Sequence, residues 1–337
     1  MALLNYEVAA AGRGVPDAIL RGSPLHVSQL QEQLMRHLLT GFEFSNDEYL
    51  DLITLAGRIK EDPQAYAEAL RGKSGAIMFE KPSLRTRTTF ELAFYRLGGH
   101  GVYLDLQNGE LGQRESIADY ARNLSRWVDC MVGRVYSQRT LEELAAAGSV
   151  SVINALSDLY HPAQAMADYM TVSERLGSLK GIRLAYLGEG NNVANSLLVA
   201  GSLLGVDVTC FCPIGHGPDV QIFNRALTHA RNNHCSLDVH ADVGLLRGYD
   251  VLYTDTWVSM GDDTPLEQVQ GLYQPYQINE ALIRKSGARL VLHCLPAHRG
   301  FEITDAAMDG ELSGVFDEAE NRMHIHMALL YTLLRGN

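Results

Sequence analysis

A serine and two arginines stand close together in the segment Ser-Leu-Arg-Thr-Arg at 83–87. The segment follows the short apolar run 75–79 and precedes apolar residues at helical spacing, so a strand is predicted to lead into a helix here. Ser83 is suited to the N-cap, which leaves backbone N–H groups of the first turn without partners inside the helix. Those donors, the helix dipole and the guanidinium groups of Arg85 and Arg87 together predict a site for a compact oxyanion such as phosphate.

Basic and polar side chains in two later segments could act on a ligand at the same place. Arg134 stands near the end of the predicted strand 130–135, and ligand sites of parallel sheets lie at the carboxyl ends of strands. His161 and Gln164 lie three residues apart at a predicted helix start, where both side chains can face one ligand. A lone histidine also serves as a cap or a core residue, so these residues indicate a site only in combination.

Two predicted strands in the second half of the chain carry polar side chains toward a sheet edge. Asp255 and Ser259 follow the strand 250–254, and the segment 289–300 is predicted as a strand that runs into the cleft and carries Cys294 to its lip. By the strand-end rule these side chains line a cleft. Asp255 is also suited to a simple turn-forming role, which stays open at this point.

The elements that must position these residues alternate between strands and helices along most of the chain. Strands predicted at 75–79, 101–104, 130–135 and 150–153 are separated by helical patterns, and the alternation restarts at 182–187. Such alternation favours parallel sheets with crossover helices. The 337 residues are enough for two domains. We therefore predict an α/β protein with two doubly wound parallel-sheet domains linked by long helices.

Composition and charge narrow the classes of function. The formal net charge is −12, from 28 basic and 40 acidic residues without a basic run, which disfavours nucleic acid or an anionic membrane as a partner. The five cysteines lack the paired spacing of a zinc site, and their odd number fits reduced thiols. No apolar run approaches the roughly 18 to 20 residues that cross a bilayer. The first residues lack the basic segment of a signal peptide, so we expect a cytoplasmic protein.

The turn Gly-Glu-Gly-Asn-Asn at 188–192 invites comparison with a dinucleotide-binding loop. The third glycine of the G-x-G-x-x-G pattern is replaced by Val193, which disfavours close packing of the helix over a pyrophosphate. We therefore predict no nucleotide cofactor.

Taken together, four of these segments resemble the aspartate/ornithine carbamoyltransferase family. They are Ser-Leu-Arg-Thr-Arg at 83–87, His-Pro-Ala-Gln at 161–164, Asp-Thr-Trp-Val-Ser-Met-Gly at 255–261 and His-Cys-Leu-Pro at 293–296. Their order and spacing are similar to the family over roughly residues 35 to 335. The last two segments, with the 188–192 turn, are similar to the ornithine branch of the family.

The resemblance implies two carbamoyltransferase-like α/β domains, with active sites at the subunit interfaces of a homotrimer or an assembly of trimers. In this sequence it implies an N-terminal extension at 1–34, a carbamoyl-phosphate-binding domain at 35–165 and an ornithine-binding domain at 166–317. The last helix, at 318–337, would pack back on the first domain.

The resemblance also implies roles for individual residues. The carbamoyl phosphate ligands would be Ser83, Leu84 through its backbone, Arg85, Thr86, Arg134, His161, Gln164, the backbone at Cys294 and Leu295, and Arg322. The ornithine ligands would be Asn192, Asp255, Ser259 and Met260. The residues with catalytic roles would be Arg85, Arg134, His161, Asp255 and Cys294. No cofactor and no metal are implied.

The implied reaction transfers the carbamoyl group of carbamoyl phosphate to the side-chain amine of L-ornithine, giving L-citrulline and phosphate in arginine biosynthesis or catabolism. Donors on Thr86, Arg134 and His161 would stabilise the negative charge that develops on the carbonyl oxygen. The attacking amine must first lose a proton, and Asp255 and Cys294 are the candidates to help.

Two departures from the family pattern leave alternatives open. Leu84 stands where ornithine enzymes commonly have threonine, and Glu110 stands where the family typically offers glutamine or histidine to the phosphate of a neighbouring subunit. A carboxylate repels phosphate unless it is protonated, turned away or paired, for example with Arg114. The alternatives are a sister carbamoyltransferase acting on an acylated ornithine, lysine or a diamine, and a non-catalytic carbamoyl-phosphate-binding paralogue.

Overall fold

Two parallel sheets with flanking helices make up the part of the chain that the computed structural model describes, residues 36–106, 111–258 and 264–335. The N-terminal extension, Glu110, Ser259 and Met260 lie outside the described residues. The predicted α/β fold with two parallel sheets is confirmed.

The first sheet contains four parallel strands. The elements of this half, in chain order, are α1 (Asn46–Glu61), β1 (Ser74–Phe79), α2 (Leu84–Arg96), β2 (His100–Asp105), α3 (Ile117–Leu124), β3 (Cys130–Arg134), α4 (Gln138–Ala147) and β4 (Ser151–Leu156). The strand order is β2-β1-β3-β4, so the ends of β1 and β3 are neighbours and Phe79 pairs with Arg134. The predicted shared edge of Arg134 and the Ser83 segment is therefore confirmed.

A long helix, α5, leads into the second sheet, which contains five parallel strands in the order β7-β6-β5-β8-β9. The elements of this half are α5 (Pro162–Leu176), β5 (Arg183–Leu187), α6 (Asn192–Leu204), β6 (Asp207–Phe211), α7 (Val220–Asn232), β7 (Leu237–His240), β8 (Val251–Thr254), α8 (Leu266–Tyr273), α9 (Glu280–Ser286), β9 (Leu290–His293), α10 (Asp305–Met308) and α11 (Val315–Arg335). From β5 the chain adds β6 and β7 on one side and then β8 and β9 on the other, so the strand order reverses at β5. Open α/β sheets bind ligands at such a point of reversal.

Alternate residues of the strands contribute to different cores, as the period of two in a strand requires. In β1, Ile77 and Phe79 belong to one buried cluster, whereas Ala76 and Met78 belong to another, which packs under α3 and α4. The cluster around Ile77 and Phe79 continues through α5 and α11 into the second sheet, where it includes Tyr253. The two sheets therefore share one apolar core.

Helices α5 and α11 are the elements on which this shared core is built. Residues Pro162 to Val172 of α5 are all buried, as expected for a helix that has neighbours on every side. The helix begins with Pro162 in its first turn and ends at Gly177, which adopts the left-handed conformation of a helix C-cap. Helix α11 packs against α1, α2 and α5, and its residues Ile325 to Leu330 are buried.

The sequence predicts a helix from about Ser116 to Val128 and another that starts after Thr140, and one boundary of each differs from the structure. The helix predicted to start after Thr140 begins at Gln138, because its first free N–H, on Gln138, donates to the distant carboxylate Oδ1 of Asp158 at 2.7 Å. The helix predicted to reach Val128 ends at Leu124, where the Ser125 hydroxyl bonds back to a carbonyl of the preceding turn. Neither the bond to Asp158 nor the bond made by the Ser125 hydroxyl has a clear signature in the neighbouring sequence.

All five cysteines are free thiols. Within the described ranges, no helix combines the length and the apolar character that crossing a membrane requires.

The packing of β1 against α2 generates a testable prediction. A methyl group at Gly75 would lie 2.2 Å from the ring of Phe94 and 3.0 Å from the sulfur of Cys130. We therefore expect Gly75→Ala to destabilise the protein by about 1 to 3 kcal/mol, as overpacked cores do. The measurement is the free energy of unfolding from urea titration.

The matched control is Gly57→Ala in α1, where the added methyl group meets nothing within 4 Å. Since alanine is the better helix former, this variant is expected to gain about 1 kcal/mol. Equal stability of the two variants would contradict the packing that we describe.

Candidate active site

The N-terminus of α2 forms one wall of the site. Ser83 caps the helix, and its hydroxyl accepts from the backbone N–H of Thr86 at 3.4 Å, so the predicted N-cap is confirmed. Across the site, the guanidinium of Arg322 in α11 donates to the Thr86 hydroxyl through Nη2 at 2.6 Å. The last helix is therefore joined to the first turn of α2, although 236 residues separate the two side chains in the sequence.

A cavity of about 420 Å³ lies between the carboxyl ends of the strands of both sheets. Most of the residues that the sequence predicts for the site line this cavity. They are Ser83, Leu84, Arg85, Thr86, Arg134, His161, Asn192, Asp255, Cys294, Leu295 and Arg322. The side chain of Leu84 is 78% exposed, so replacing the family's threonine at this position adds no bulk to the protein interior.

Positive charge is concentrated in this cavity. Burial, followed by the nearby guanidinium groups of Arg322 and Arg85, lowers the pKa of Arg134 to about 10. Burial also lowers the pKa of Arg322, whose Nε has no hydrogen-bond partner within the described part of the chain. Since like charges repel in a medium that screens them poorly, the arrangement is stabilised by an anion placed between the guanidinium groups.

His161 is held as a neutral imidazole beside these cations. Burial lowers its pKa well below 6.5, and the charges of Arg322 and Arg134 act in the same direction. The backbone N–H of His161 donates to the Ser196 hydroxyl at 2.7 Å, which fixes the start of α5 against α6. Its Nδ1 is buried without a partner among the described residues. A neutral ring of this kind offers one hydrogen-bond donor and one acceptor to a ligand.

Asp255 and Cys294 meet at the ends of the neighbouring strands β8 and β9. The thiol of Cys294 donates to Asp255 Oδ1 at 3.0 Å, and the side-chain amide of Asn191 donates to Asp255 Oδ2 at 2.8 Å. Burial, and then the charge of Asp255, raises the pKa of Cys294 well above 9. A thiol that stays protonated and donates to a carboxylate is a poor proton acceptor, so the structure does not favour Cys294 as the residue that deprotonates an amine.

The same strand ends bring together three groups that could hold a metal ion. Ligand atoms of Asp255, His293 and Cys294 lie within 4.8 Å of one another. His293 is already engaged on both nitrogens, because Nδ1 accepts from the backbone N–H of Leu295 at 2.9 Å and Nε2 lies 3.1 Å from Glu302 Oε1. Because both ring nitrogens already have partners, His293 holds the loop after β9 in place and has no free nitrogen for a metal ion.

Some predicted residues lie elsewhere. Gln164 is buried one helical turn beyond His161 and is not on the cavity wall. Arg87 is an exposed residue whose Nε donates to Glu91 at 3.0 Å and whose guanidinium lies 3.6 Å from the ring centroid of Tyr103. The expectation that Arg85 and Arg87 flank one anion is therefore wrong for Arg87, since residues two apart on a helix face different directions.

Several cavity residues were not predicted from the sequence. Lys81 lines the wall at the end of β1, where its ammonium group lies 4.4 Å from the ring centroid of Tyr136 and burial, followed by Arg134, lowers its pKa. Asn191 lines the opposite side, where it also caps α6. Applying the strand-end rule to every polar residue after β1 and β5 would have found both.

The contrast between Arg85 and Arg87 generates a prediction. Removing the guanidinium of Arg85 in Arg85→Gln is expected to raise the dissociation constant of inorganic phosphate by about 10- to 100-fold, since a hydrogen bond to a charged group contributes about 1.5 to 3 kcal/mol. Isothermal titration calorimetry measures this change.

Arg87→Gln is the matched control on the same helix turn. It is expected to leave phosphate affinity within about twofold, because its present partners are Glu91 and Tyr103 and an exposed ion pair contributes little. A loss of affinity as large as that of Arg85→Gln would mean that the anion lies on the other face of α2.

Comparisons with known proteins agree with this geometry. Residues 36–174 match the family model of the aspartate/ornithine carbamoyltransferase carbamoyl-P binding domain, and residues 180–333 match that of the Asp/Orn binding domain. An ornithine carbamoyltransferase of Vibrio sp. (strain 2693) is 52% identical over 301 residues, which cover 89% of this chain and 100% of the relative.

Solved structures give the same result. The ornithine carbamoyltransferase from Pyrococcus furiosus has a TM-score of 0.85 at 41% identity, covering 89% of this chain and 97% of that one. An acetylornithine transcarbamylase complexed with acetylcitrulline has a TM-score of 0.79 at 30% identity, covering 89% of this chain and 99% of that one. The chain belongs to the aspartate/ornithine carbamoyltransferase family.

Proposed function

We propose that this protein is an ornithine carbamoyltransferase, which transfers the carbamoyl group of carbamoyl phosphate to the side-chain amine of L-ornithine and releases L-citrulline and phosphate. The observation that carries the proposal is that one cavity is lined both by a cluster of arginine side chains near the start of α2 and by the carboxylate of Asp255. The 52% identity to an enzyme of that name supports the choice of acceptor.

The phosphate is proposed to lie against the first turn of α2. Ser83, Leu84, Arg85 and Thr86 offer backbone N–H groups and a guanidinium there, at the positive end of the helix dipole. Arg85 would stabilise the charge on the departing phosphate. The exposed side chain of Leu84 fits a role through the backbone alone.

The carbamoyl group is proposed to lie between β3, α5 and α11. Arg134, His161 and Arg322 line this part of the cavity, and the backbone at Cys294 and Leu295 faces them. When the amine attacks the carbamoyl carbon, negative charge develops on the carbonyl oxygen. Donors on Thr86, Arg134 and neutral His161 would stabilise that charge without moving, which is the usual source of the largest catalytic effect. Holding the two substrates in line supplies much of the remainder.

Ornithine is proposed to bind at the ends of β5 and β8. Asn192 and Asp255 line the cavity there, and Ser259 and Met260 complete the proposed set. The side-chain amide of Asn192 donates to the Ser157 carbonyl at 2.6 Å, so its oxygen is the atom available to the α-amino group. Asp255 carries the negative charge that attracts the ammonium groups of the substrate.

Further parts of the proposal concern assembly and context. We propose a homotrimer or an assembly of trimers that works in the cytoplasm, in arginine metabolism. Two exposed apolar side chains, Tyr95 on α2 at 78% and Trp127 after α3 at 71%, support burial in a subunit contact. We also propose a division into domains at 35–165 and 166–317, with the C-terminal segment from 318 packed on the first domain. Its support is that α5 connects the two sheets along the chain and that α11, which begins at Val315, packs against α1 and α2.

The acceptor is tested by initial rates of product formation from carbamoyl phosphate with ornithine, acetylornithine, lysine and putrescine, side by side. Ornithine is expected to exceed each of the others in kcat/KM by about 100-fold or more, because loss of one buried polar or charged contact costs at least that much. If another amine wins, the acceptor assignment is wrong; if none reacts, the protein is not a carbamoyltransferase for these amines.

The pH dependence tests which group must lose a proton. The side-chain amine of ornithine resembles lysine, with a pKa of about 10.4. Because the pKa of His161 lies well below 6.5 and that of Cys294 well above 9, neither changes its charge between about pH 6.5 and 8.5. Activity limited by the free amine should therefore rise about tenfold per pH unit over that range.

Cys294→Ser distinguishes a structural thiol from a proton acceptor. We expect this variant to lose some activity while keeping the same slope of log kcat/KM against pH. A flat profile for the variant, with the slope retained by the unmodified protein, would restore Cys294 as the group that accepts the proton.

A further inference from the structure

Two buried carboxyl groups, those of Asp168 and Glu318, both accept hydrogen bonds from the side-chain amide of Gln164. The amide nitrogen of Gln164 donates to Asp168 Oδ1 at 2.7 Å and to Glu318 Oε1 at 2.9 Å. All three residues are at most 1% exposed. Both N–H bonds of the amide are thus used, and its oxygen Oε1 has no partner within the described part of the chain.

The two carboxyl groups of the pair differ in the donors that they receive. Both oxygens of Glu318 accept: Oε1 accepts from the Tyr253 hydroxyl at 3.2 Å as well as from Gln164, and Oε2 accepts from the backbone N–H of His293 at 2.9 Å. Asp168 Oδ2 receives no N–H or O–H donor from the described residues. Burial raises the pKa of both carboxyl groups, to about 7 for Asp168. Glu318 therefore has no oxygen that could be exchanged for an NH2 group without opposing a donor, whereas Asp168 has one.

The pair is placed next to the residues that line the cavity. Gln164 follows His161 by three residues on α5, and Glu318 precedes Arg322 by four residues on α11, so each lies one helical turn from a wall residue. Gln164 therefore lies within one helical turn of His161, which lines the part of the cavity that is proposed to hold the carbamoyl group.

We propose that Asp168 and Glu318 are positioning residues that hold the Gln164 amide in the one orientation that offers its oxygen, and not its NH2 group, to the NH2 of a carbamoyl group. The inference rests on the proposed function and deepens it. Through this orientation the protein selects carbamoyl phosphate over acyl phosphates such as acetyl phosphate, whose methyl group has no hydrogen to donate.

The chemistry of the amide explains why such a device is needed. The two ends of a glutamine amide have nearly the same shape, so packing alone does not choose between them. Turned by half a rotation, Gln164 would set its NH2 against the carbamoyl NH2 and leave donors facing each other. Two carboxyl acceptors on one side exclude that orientation, because the amide oxygen would then face Glu318.

Two isosteric substitutions test the proposal in opposite directions. Asp168→Asn keeps an acceptor oxygen for Gln164 and can place its NH2 group where Asp168 Oδ2 receives no donor, so it is expected to retain the preference for carbamoyl phosphate. Glu318→Gln must place a donor against Gln164, Tyr253 or the His293 N–H. It is expected to lower the preference by about tenfold or more, as the loss of a buried hydrogen bond to substrate does.

The readout is the KM of carbamoyl phosphate divided by the inhibition constant of acetyl phosphate, with the KM of ornithine measured beside it. If Asp168 and Glu318 only stabilised the fold, their substitution would change the melting temperature or all three constants together. The ratio of the first two constants would then stay the same. Gln164→Met, which keeps the length and apolar stem of the side chain but has no acceptor oxygen, provides a second variant and is expected to lose the same preference.

Three results would overturn the inference. The first is retention of the preference by folded Glu318→Gln, the second is its retention by Gln164→Met, and the third is an equal loss in Asp168→Asn and Glu318→Gln. Should Glu318→Gln fail to fold, the pair Gln164→Met and Asp168→Asn decides the question. Absence of any carbamoyl transfer by the unsubstituted protein would instead refute the proposed function.

Discussion

Repulsion among guanidinium groups at the start of α2 is the constraint around which the site is built. Arg134 and Arg322 are almost fully buried, which lowers the pKa of both, and the charge of Arg85 lowers the two pKa values further. Burying like charges is costly unless an opposite charge joins them. The open N–H groups of the helix add positive potential at the same point. A doubly charged phosphate would relieve this repulsion, which is the physical reason why we propose this position for it.

The shared apolar core makes this arrangement possible. The cations come from β3, α2 and α11, which are far apart in the sequence, and side-chain positions this close require rigid elements. Helices α5 and α11 lie in the core that continues from the first sheet to the second. They also carry His161, Gln164, Glu318 and Arg322, so the groups that we propose to position the substrate are held by the same packing that joins the two sheets. A substitution that weakens the packing of α11 should therefore displace both Arg322, on the cavity wall, and Glu318, in the carboxyl pair.

The parallel sheets and most residues of the cavity could be predicted from the sequence, because they depend on local patterns. Strand-to-helix junctions such as that at Ser83 have local signals: an apolar run, a capping residue and helical spacing. The parallel order of strands then brings Arg134 to the same edge. Distances across the fold have no such local signal. The hydrogen bond from Gln164 to Glu318 spans 154 residues, and the cap of α4 comes from Asp158, so neither follows from neighbouring residues. The position of Arg87 does not follow from its spacing to Arg85, because the direction in which a side chain leaves α2 has to be compared with the location of the site.

The most direct test of this account is a crystal structure of the protein with both proposed products, inorganic phosphate and L-citrulline. We expect the phosphate to contact the backbone N–H groups at the start of α2 and the guanidinium of Arg85. The ureido group of citrulline should lie between His161 and Arg322, with its α-amino group toward Asp255. A phosphate bound away from the first turn of α2, or a citrulline whose ureido group points away from His161, would contradict the account.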